Sequence, residues 1–210
     1  MRFGQTAVAV LVAVLLAPAA ALAQYSAQKS LEDPNFYVTA YYNFNFGGDV
    51  YKGLGDSSLK KSNSHGLGGS FTLLARHLIS AELDFNYSHS FFGSSDTLSR
   101  NTVLTTTLDG VVGRWFKAGP GRIRPYVLVG GGYMRAVATN RRKVGWSAPE
   151  KNLGLVEAGG GILWLFNDSF GIRADARYRY GLGAKEDGSD YGLFNKFTYV
   201  KSTLGLSIAF

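Results

Sequence analysis

Cysteine is absent from the 210 residues, which excludes disulfides and thiolate metal sites. Charge is scarce too, at 18% Asp, Glu, Lys and Arg, and Pro occurs only 5 times. Disorder is excluded by the 46% hydrophobic fraction. Beyond Leu16 no apolar run approaches the ~20 residues a membrane-spanning helix needs. Nucleotide-binding motifs are missing as well. The Gly-Gly-Gly runs at 130–132 and 159–161 lie in strand-like segments, without the strand-to-helix context of a phosphate loop. Asp49 and Asp56 are too few and too scattered for calcium. What is abundant is Gly (27), Phe (14) and Tyr (12), a profile of aromatic-rich β structure.

The N-terminus reads as a targeting signal. Arg2 supplies the positive region and Ala7 to Leu16 a short apolar run. Pro18 breaks that run, and Ala21-Leu22-Ala23 forms a small-x-small cleavage site before Gln24. No Cys follows the site, so a lipoprotein is excluded. Residues 1–23 are expected to be removed on export. Residues 24–34 are a short polar lead-in, and 35–210 form one β domain.

From Phe36 onward the chain alternates with period two. In the first segment, 36–46, Phe36, Val38, Ala40, Tyr42, Phe44 and Phe46 share one face, opposite Thr39, Asn43 and Asn45. Seven further segments follow, at about 65–75, 79–91, 102–116, 124–135, 154–166, 170–182 and from Val200 to the end. The strongest alternates Phe170, Ile172, Ala174, Ala176, Tyr178, Tyr180 and Leu182 with Arg173, Asp175, Arg177 and Arg179. Short connections at 76–78, 117–122 and 167–169 take turns with long polar ones near 47–63, 92–101, 136–152 and 183–196. That rhythm predicts an all-β, eight-stranded antiparallel up-and-down transmembrane β-barrel with its short turns on the periplasmic side.

Register arithmetic predicts the interior. Centring the turn on Asp168 sets Glu157 opposite Arg179. Centring turns on His77 and on 117–122 sets Glu82 opposite Thr72, Asp84 opposite Ser70 and Asp109 opposite Gly130. The polar face then holds Glu82, Asp84, Asp109, Glu157 and Asp175 against Arg173, Arg177, Arg179 and Lys201. These charges are near balance, in a lumen just wide enough to be filled by side chains. Gly130, Gly132, Gly159 and Gly161 leave room for the Arg and Tyr side chains. Outward aromatics fall into two girdles: Phe36, Trp164, Phe166, Phe170 and Phe210 at the short-turn ends, and Tyr42, Tyr87, Tyr133, Tyr178 and Tyr180 toward the long loops.

These features carry a resemblance. The last strand, with Leu204, Leu206, Ile208 and the terminal Phe210, looks like the signal read by the outer-membrane barrel assembly machinery. Arg124-Pro-Tyr-Val-Leu-Val-Gly-Gly-Gly-Tyr133 and Phe170-Gly-Ile-Arg-Ala-Asp-Ala-Arg-Tyr-Arg-Tyr180 are similar to the fifth and seventh strands of small OmpA/OmpX-like barrels. The resemblance covers about 35–210. It implies insertion by that machinery into the outer membrane of a Gram-negative cell, with outer-membrane lipid and lipopolysaccharide as surroundings. The chain departs from full-length OmpA in stopping at Phe210, so no peptidoglycan-binding domain is expected.

Function is less sharply marked. His65 and His89 are candidate catalytic residues, in register to approach each other near the loops, where two histidines without a placed carboxylate are a weak signal for a metal or acid/base site; Ser90 and Asp96 are close in sequence. A lipid A-modifying enzyme needs a Ser, a His and a carboxylate converging. The motif of lipid A deacylases separates His and Ser by one residue, whereas His89 and Ser90 are adjacent. Arg141, Arg142 and Lys143, with Lys60, Lys61, Arg135 and Lys151 around them, are candidate contacts for lipopolysaccharide phosphates. No cofactor, no metal and no nucleic acid are expected. A structural or surface-interaction barrel, adhesin-like through its long loops and open to an envelope or host ligand, is the leading expectation. A lipid A-modifying enzyme and a narrow solute channel are the alternatives.

Overall fold

A computed structural model of the chain describes residues 34–46, 64–74, 78–89, 98–140, 150–182 and 198–210. The segment read as a signal, Ser90, Asp96, Arg141 to Lys143 and most of the long connections lie outside the described residues.

Eight long strands and one short one follow in order: β1 (Phe36–Phe46), β2 (Ser64–Leu74), β3 (Ile79–His89), β4 (Leu98–Gly113), β5 (Phe116–Ala118), β6 (Gly121–Asn140), β7 (Glu150–Leu165), β8 (Phe170–Leu182) and β9 (Thr198–Ala209). Each long strand pairs antiparallel with its sequence neighbours, and β1 pairs with β9 to close the barrel. The three-residue β5 continues β4 after a break at Arg114–Trp115 and pairs with the start of β6. The connection expected over 117–122 is therefore tighter. It consists of Gly119 and Pro120, with Gly119 at φ 61°, the left-handed side that primed hairpin turns require.

The register fixes the barrel's geometry. The pairs run Phe36, Leu73, Ala81, Gly110, Val129, Ala158, Tyr178 and Val200, and return to β1 at Phe46, ten residues above the start. A stagger of that size over eight strands tilts them by about 40° from the barrel axis. Along β8 the outward residues from Phe170 to Tyr180 then span roughly 25 Å of axis, the height of a lipid-facing band.

Three expected boundaries move. By composition residues 98–101, 136–140 and 150–152 belong to loops, but they extend β4, β6 and β7. Polar residues there continue an existing ladder, with Leu98 opposite Asn140 and Val137 opposite Glu150. β3 ends at His89 opposite Thr102, and β8 ends at Leu182 opposite Gly154. Beyond those two pairs, among the described residues, β4, β6 and β7 continue as a three-stranded sheet above the rim.

The C-terminus is tied into the seam. Asn35 N donates to Phe210 O at 2.9 Å, and Phe210 N donates to Phe36 O at 3.0 Å. The Phe36 and Phe210 rings stack at 4.9 Å.

Candidate functional site: a filled lumen inside an apolar wall

The strand pleat sends alternate residues to two different environments. Outward positions carry apolar side chains around the whole circumference, among them Phe71, Leu83, Leu108, Val129, Ile162 and Leu206, with Leu206 69% exposed. Among the described residues, no Asp, Glu, Lys or Arg points outward between Arg114 near the short turns and Arg135 near the loops. A water-soluble domain does not expose apolar surface on this scale. Of the expected girdle residues, Phe36 and Phe210 are half-buried against each other, and the rest are exposed. Trp164, Phe166 and Phe170 are exposed at one end, and Tyr42, Tyr87, Tyr133, Tyr178 and Tyr180 at the other.

Inside, the side chains form three layers. Nearest the short turns is an apolar floor of Tyr37, Val111, Tyr126, Leu128, Leu163, Leu165 and Ala209, with Trp115 packed against it. The break after Gly113 lets the Trp115 indole tuck beneath the lumen, 5.8 Å from the Arg124 guanidinium and 5.5 Å from that of Arg122. Arg124 is fully buried on this floor. It donates to Ser80 Oγ at 3.0 Å, Tyr37 Oη at 3.3 Å and Gly113 O at 3.4 Å. The polar-face reading missed both Arg124 and the floor. The signal was available, because Arg124 has the same parity as Tyr126, Leu128 and Gly130.

The middle layer is the charge network, and every residue expected in it is there and buried. Arg177 is its hub. Its guanidinium lies 2.6 Å from Glu82, 2.8 Å from Glu157, 3.0 Å from Asp175, 3.1 Å from Asp109 and 3.8 Å from Asp84. Arg173 grips Glu82 with both Nη atoms, at 2.6 and 3.0 Å, and reaches Asp175 at 3.0 Å. Arg179 donates to its register partner Glu157 and, at 3.1 Å, to Asp84. Lys201 donates to Asp84 and to Tyr41 Oη, both at 2.8 Å. Hydroxyls add to the shell, with Tyr41 on Asp84 at 2.6 Å, Thr72 on Glu82 at 2.7 Å and Tyr126 on Asp175 at 2.9 Å. With Arg124 counted, five acids face five bases.

Glycines make the layer possible. A Cβ on Gly161 would lie 2.7 Å from Tyr126 Oη and 2.4 Å from Ala174 O, so only glycine lets the tyrosine lie flat across β7.

The third layer, toward the loops, is neutral. Asn43, Asn45 and Asn86 direct their amide Nδ2 groups at Ser88 Oγ, at 3.0 to 3.2 Å. Val103, the register partner of Ser88, lines the lumen beside them, and Met134, Leu153 and Leu155 of β6 and β7 are buried at the same end. The lumen is thus occupied from floor to mouth in the described residues.

His65 and His89 are brought together but on the outside. They are direct register partners, exposed on the lipid-side face, and His65 stacks on Tyr42 at 5.9 Å. Ser88 next to His89 turns into the lumen. The described residues therefore form no Ser–His–carboxylate group.

Neither a family model nor a curated protein matches the sequence. Solved structures do match in shape. Neisserial surface protein A (NspA) superposes with a TM-score of 0.60 at 15% identity, covering 84% of this chain and 97% of that one. The N-terminal β-barrel domain of Pseudomonas aeruginosa OprF gives 0.51 at 18% identity, covering 85% and 100%. At such identities the likeness is one of fold, and the chain is an eight-stranded antiparallel barrel of the outer-membrane type.

Proposed function

We propose that the protein resides in the outer membrane as a closed scaffold. Its short turns face the periplasm, and it acts by presenting β4, β6, β7 and the long connections at the cell surface. The observation that carries this reading is the three-stranded extension above the rim, built on a barrel whose lumen is packed shut. A packed lumen leaves no path for solute. The described side chains bring no Ser, His and carboxylate together, and in this reading the surface extension binds rather than catalyses.

The chemistry of the extension suggests its neighbours. Arg135 is exposed on the outward face just above Tyr133, which in this reading brings it to the depth of lipid phosphates. Arg141, Arg142 and Lys143 follow in sequence, and in this reading they contact lipopolysaccharide phosphates. Leu204, Leu206, Ile208 and Phe210 form the strand offered to the barrel assembly machinery.

The test exploits the register. Val137 and Glu150 are paired, so residues 138–149 can be replaced by an Asn-Gly turn without disturbing the barrel. The shortened protein is expected to stay heat-modifiable and in the outer-membrane fraction, while cells carrying it lose attachment to host or neighbouring cell surfaces. Undiminished attachment would refute the surface-interaction role.

A further inference from the structure

The outer rim carries a pair of imidazoles that neither the lumen nor the surface extension uses. In β2 and β3, His65 and His89 sit directly opposite each other. Both belong to the outward set, in the row Phe44, His65, His89 and Thr102 that crosses four strands at the top of the apolar band. Opposed residues on one face of an antiparallel pair have Cβ atoms about 4.5–5.5 Å apart. Imidazole nitrogens bind zinc at about 2.0–2.1 Å, so two rings at that spacing can close on one ion.

The surroundings favour this use. Among the described residues, the His89 side chain makes no hydrogen bond, ion pair or ring contact. The His65 side chain stacks on Tyr42, ring on ring at an interplanar angle of 13°. Both side chains are exposed, so turning the His65 ring toward β3 sacrifices only that stacking contact. Ionisable side chains at the edge of an apolar band are costly without a partner.

The donor set selects the ion. The chain has no thiolate, and among the described residues no carboxylate lies on the outward face of β1 to β4. Two imidazoles suit Cu2+, Ni2+ or Zn2+ rather than Mg2+ or Ca2+, which take oxygen ligands. We propose that His65 and His89 chelate one divalent transition-metal ion at the outer rim, joining β2 to β3, with water in the remaining positions.

Folded protein in detergent, titrated with Cu2+ and followed by electron paramagnetic resonance, tests the assignment. Wild type is expected to take one ion with hyperfine structure from two nitrogens. His65→Ala and His89→Ala are each expected to lose roughly a hundredfold in affinity, the effect of untethering one of two linked ligands. His77→Ala removes the remaining histidine and is expected to bind as wild type. A second readout is the temperature at which the folded gel form is lost, raised by Ni2+ in wild type and not in either rim variant. A one-nitrogen spectrum, or rim variants that bind like wild type, overturns the proposal.

Discussion

Arg177 Nη2 donates to Glu82 Oε1 at 2.6 Å across the full width of the barrel, from β8 to the opposite wall at β3. The contact cross-braces the cylinder. Ladder hydrogen bonds join each strand only to its neighbours, whereas this guanidinium also reaches β4 through Asp109 and β7 through Glu157. Loss of such a hub leaves several buried carboxylates short of a counter-charge.

Arg177→Leu is therefore expected to cost about 3–5 kcal/mol, the range for breaking a buried ion pair by removing one partner. Arg177→Lys recovers little, because an ammonium is a point charge and cannot fork to carboxylates on four strands. Urea unfolding in detergent or lipid measures both. Equal stability of wild type and Arg177→Leu would show that the network contributes nothing net.

The middle layer was legible in the sequence, and the floor was not, for a physical reason. Glu157 facing Arg179 follows from one tight turn and strict period-two geometry, so counting residues from Asp168 suffices. Charges on an otherwise apolar strand also announce which face is inside. The floor residues Leu163, Leu165 and Val111 are as apolar as the lipid-facing Ile162 and Val112, so hydropathy gives them no face. Only their parity relative to the distant Glu157 and Asp109 does. The loop boundaries failed differently. Strand continuation past the membrane depends on pairing between β4, β6 and β7, and polar composition carries no record of that pairing.

Two seals in series predict electrical silence. Trp115 closes the short-turn end, and the charge network fills the middle. In planar bilayers the wild type is expected to show no large stable conductance. Trp115→Ala is expected to remain silent as well, because the network above it is intact. A large steady conductance in either protein would contradict the packed lumen.

The outward band predicts a depth-dependent cost. Val129 lies halfway around the register path that climbs from Phe36 to Phe46, which places it near mid-membrane. Val129→Arg is expected to cost about 2–4 kcal/mol in a bilayer, and Leu182→Arg at the rim about 0–1 kcal/mol. Folding titrations into lipid vesicles check the difference. Equal costs at the two depths would mean that the band does not meet lipid.

Glycine at 161 is expected to be irreplaceable by a branched residue. Gly161→Val would drive its side chain into Tyr126 Oη and Asp175 Cβ, which lie 2.7 and 2.5 Å from the position of a Cβ. Tyr126 would have to leave Asp175 and Arg173, breaking bonds of 2.9 and 2.6 Å. The expected loss is about 1–3 kcal/mol for overpacking, and more if the polar groups stay unpaired. The companion Gly154→Ala, whose new methyl would meet only Leu182 side-chain carbons at 3.4 and 3.7 Å, should be near neutral.

Orientation has an unusually clean assay, because the chain contains no cysteine and any thiol introduced is the sole one. Asn152, exposed on β7 in the extension above the rim, and Asp168, 71% exposed at the tight turn between β7 and β8, mark opposite ends of the barrel. With the short turns in the periplasm, a membrane-impermeant maleimide added to intact cells is expected to label Asn152→Cys and to spare Asp168→Cys until the outer membrane is breached. Both positions are exposed on folded ends, so neither substitution strains the barrel. The reverse pattern would turn the protein over, placing the β4–β6–β7 extension and the His65–His89 pair on the periplasmic side. It would remove the surface role with them. Labelling of both positions in intact cells would instead mean that the chain does not span a sealed membrane at all.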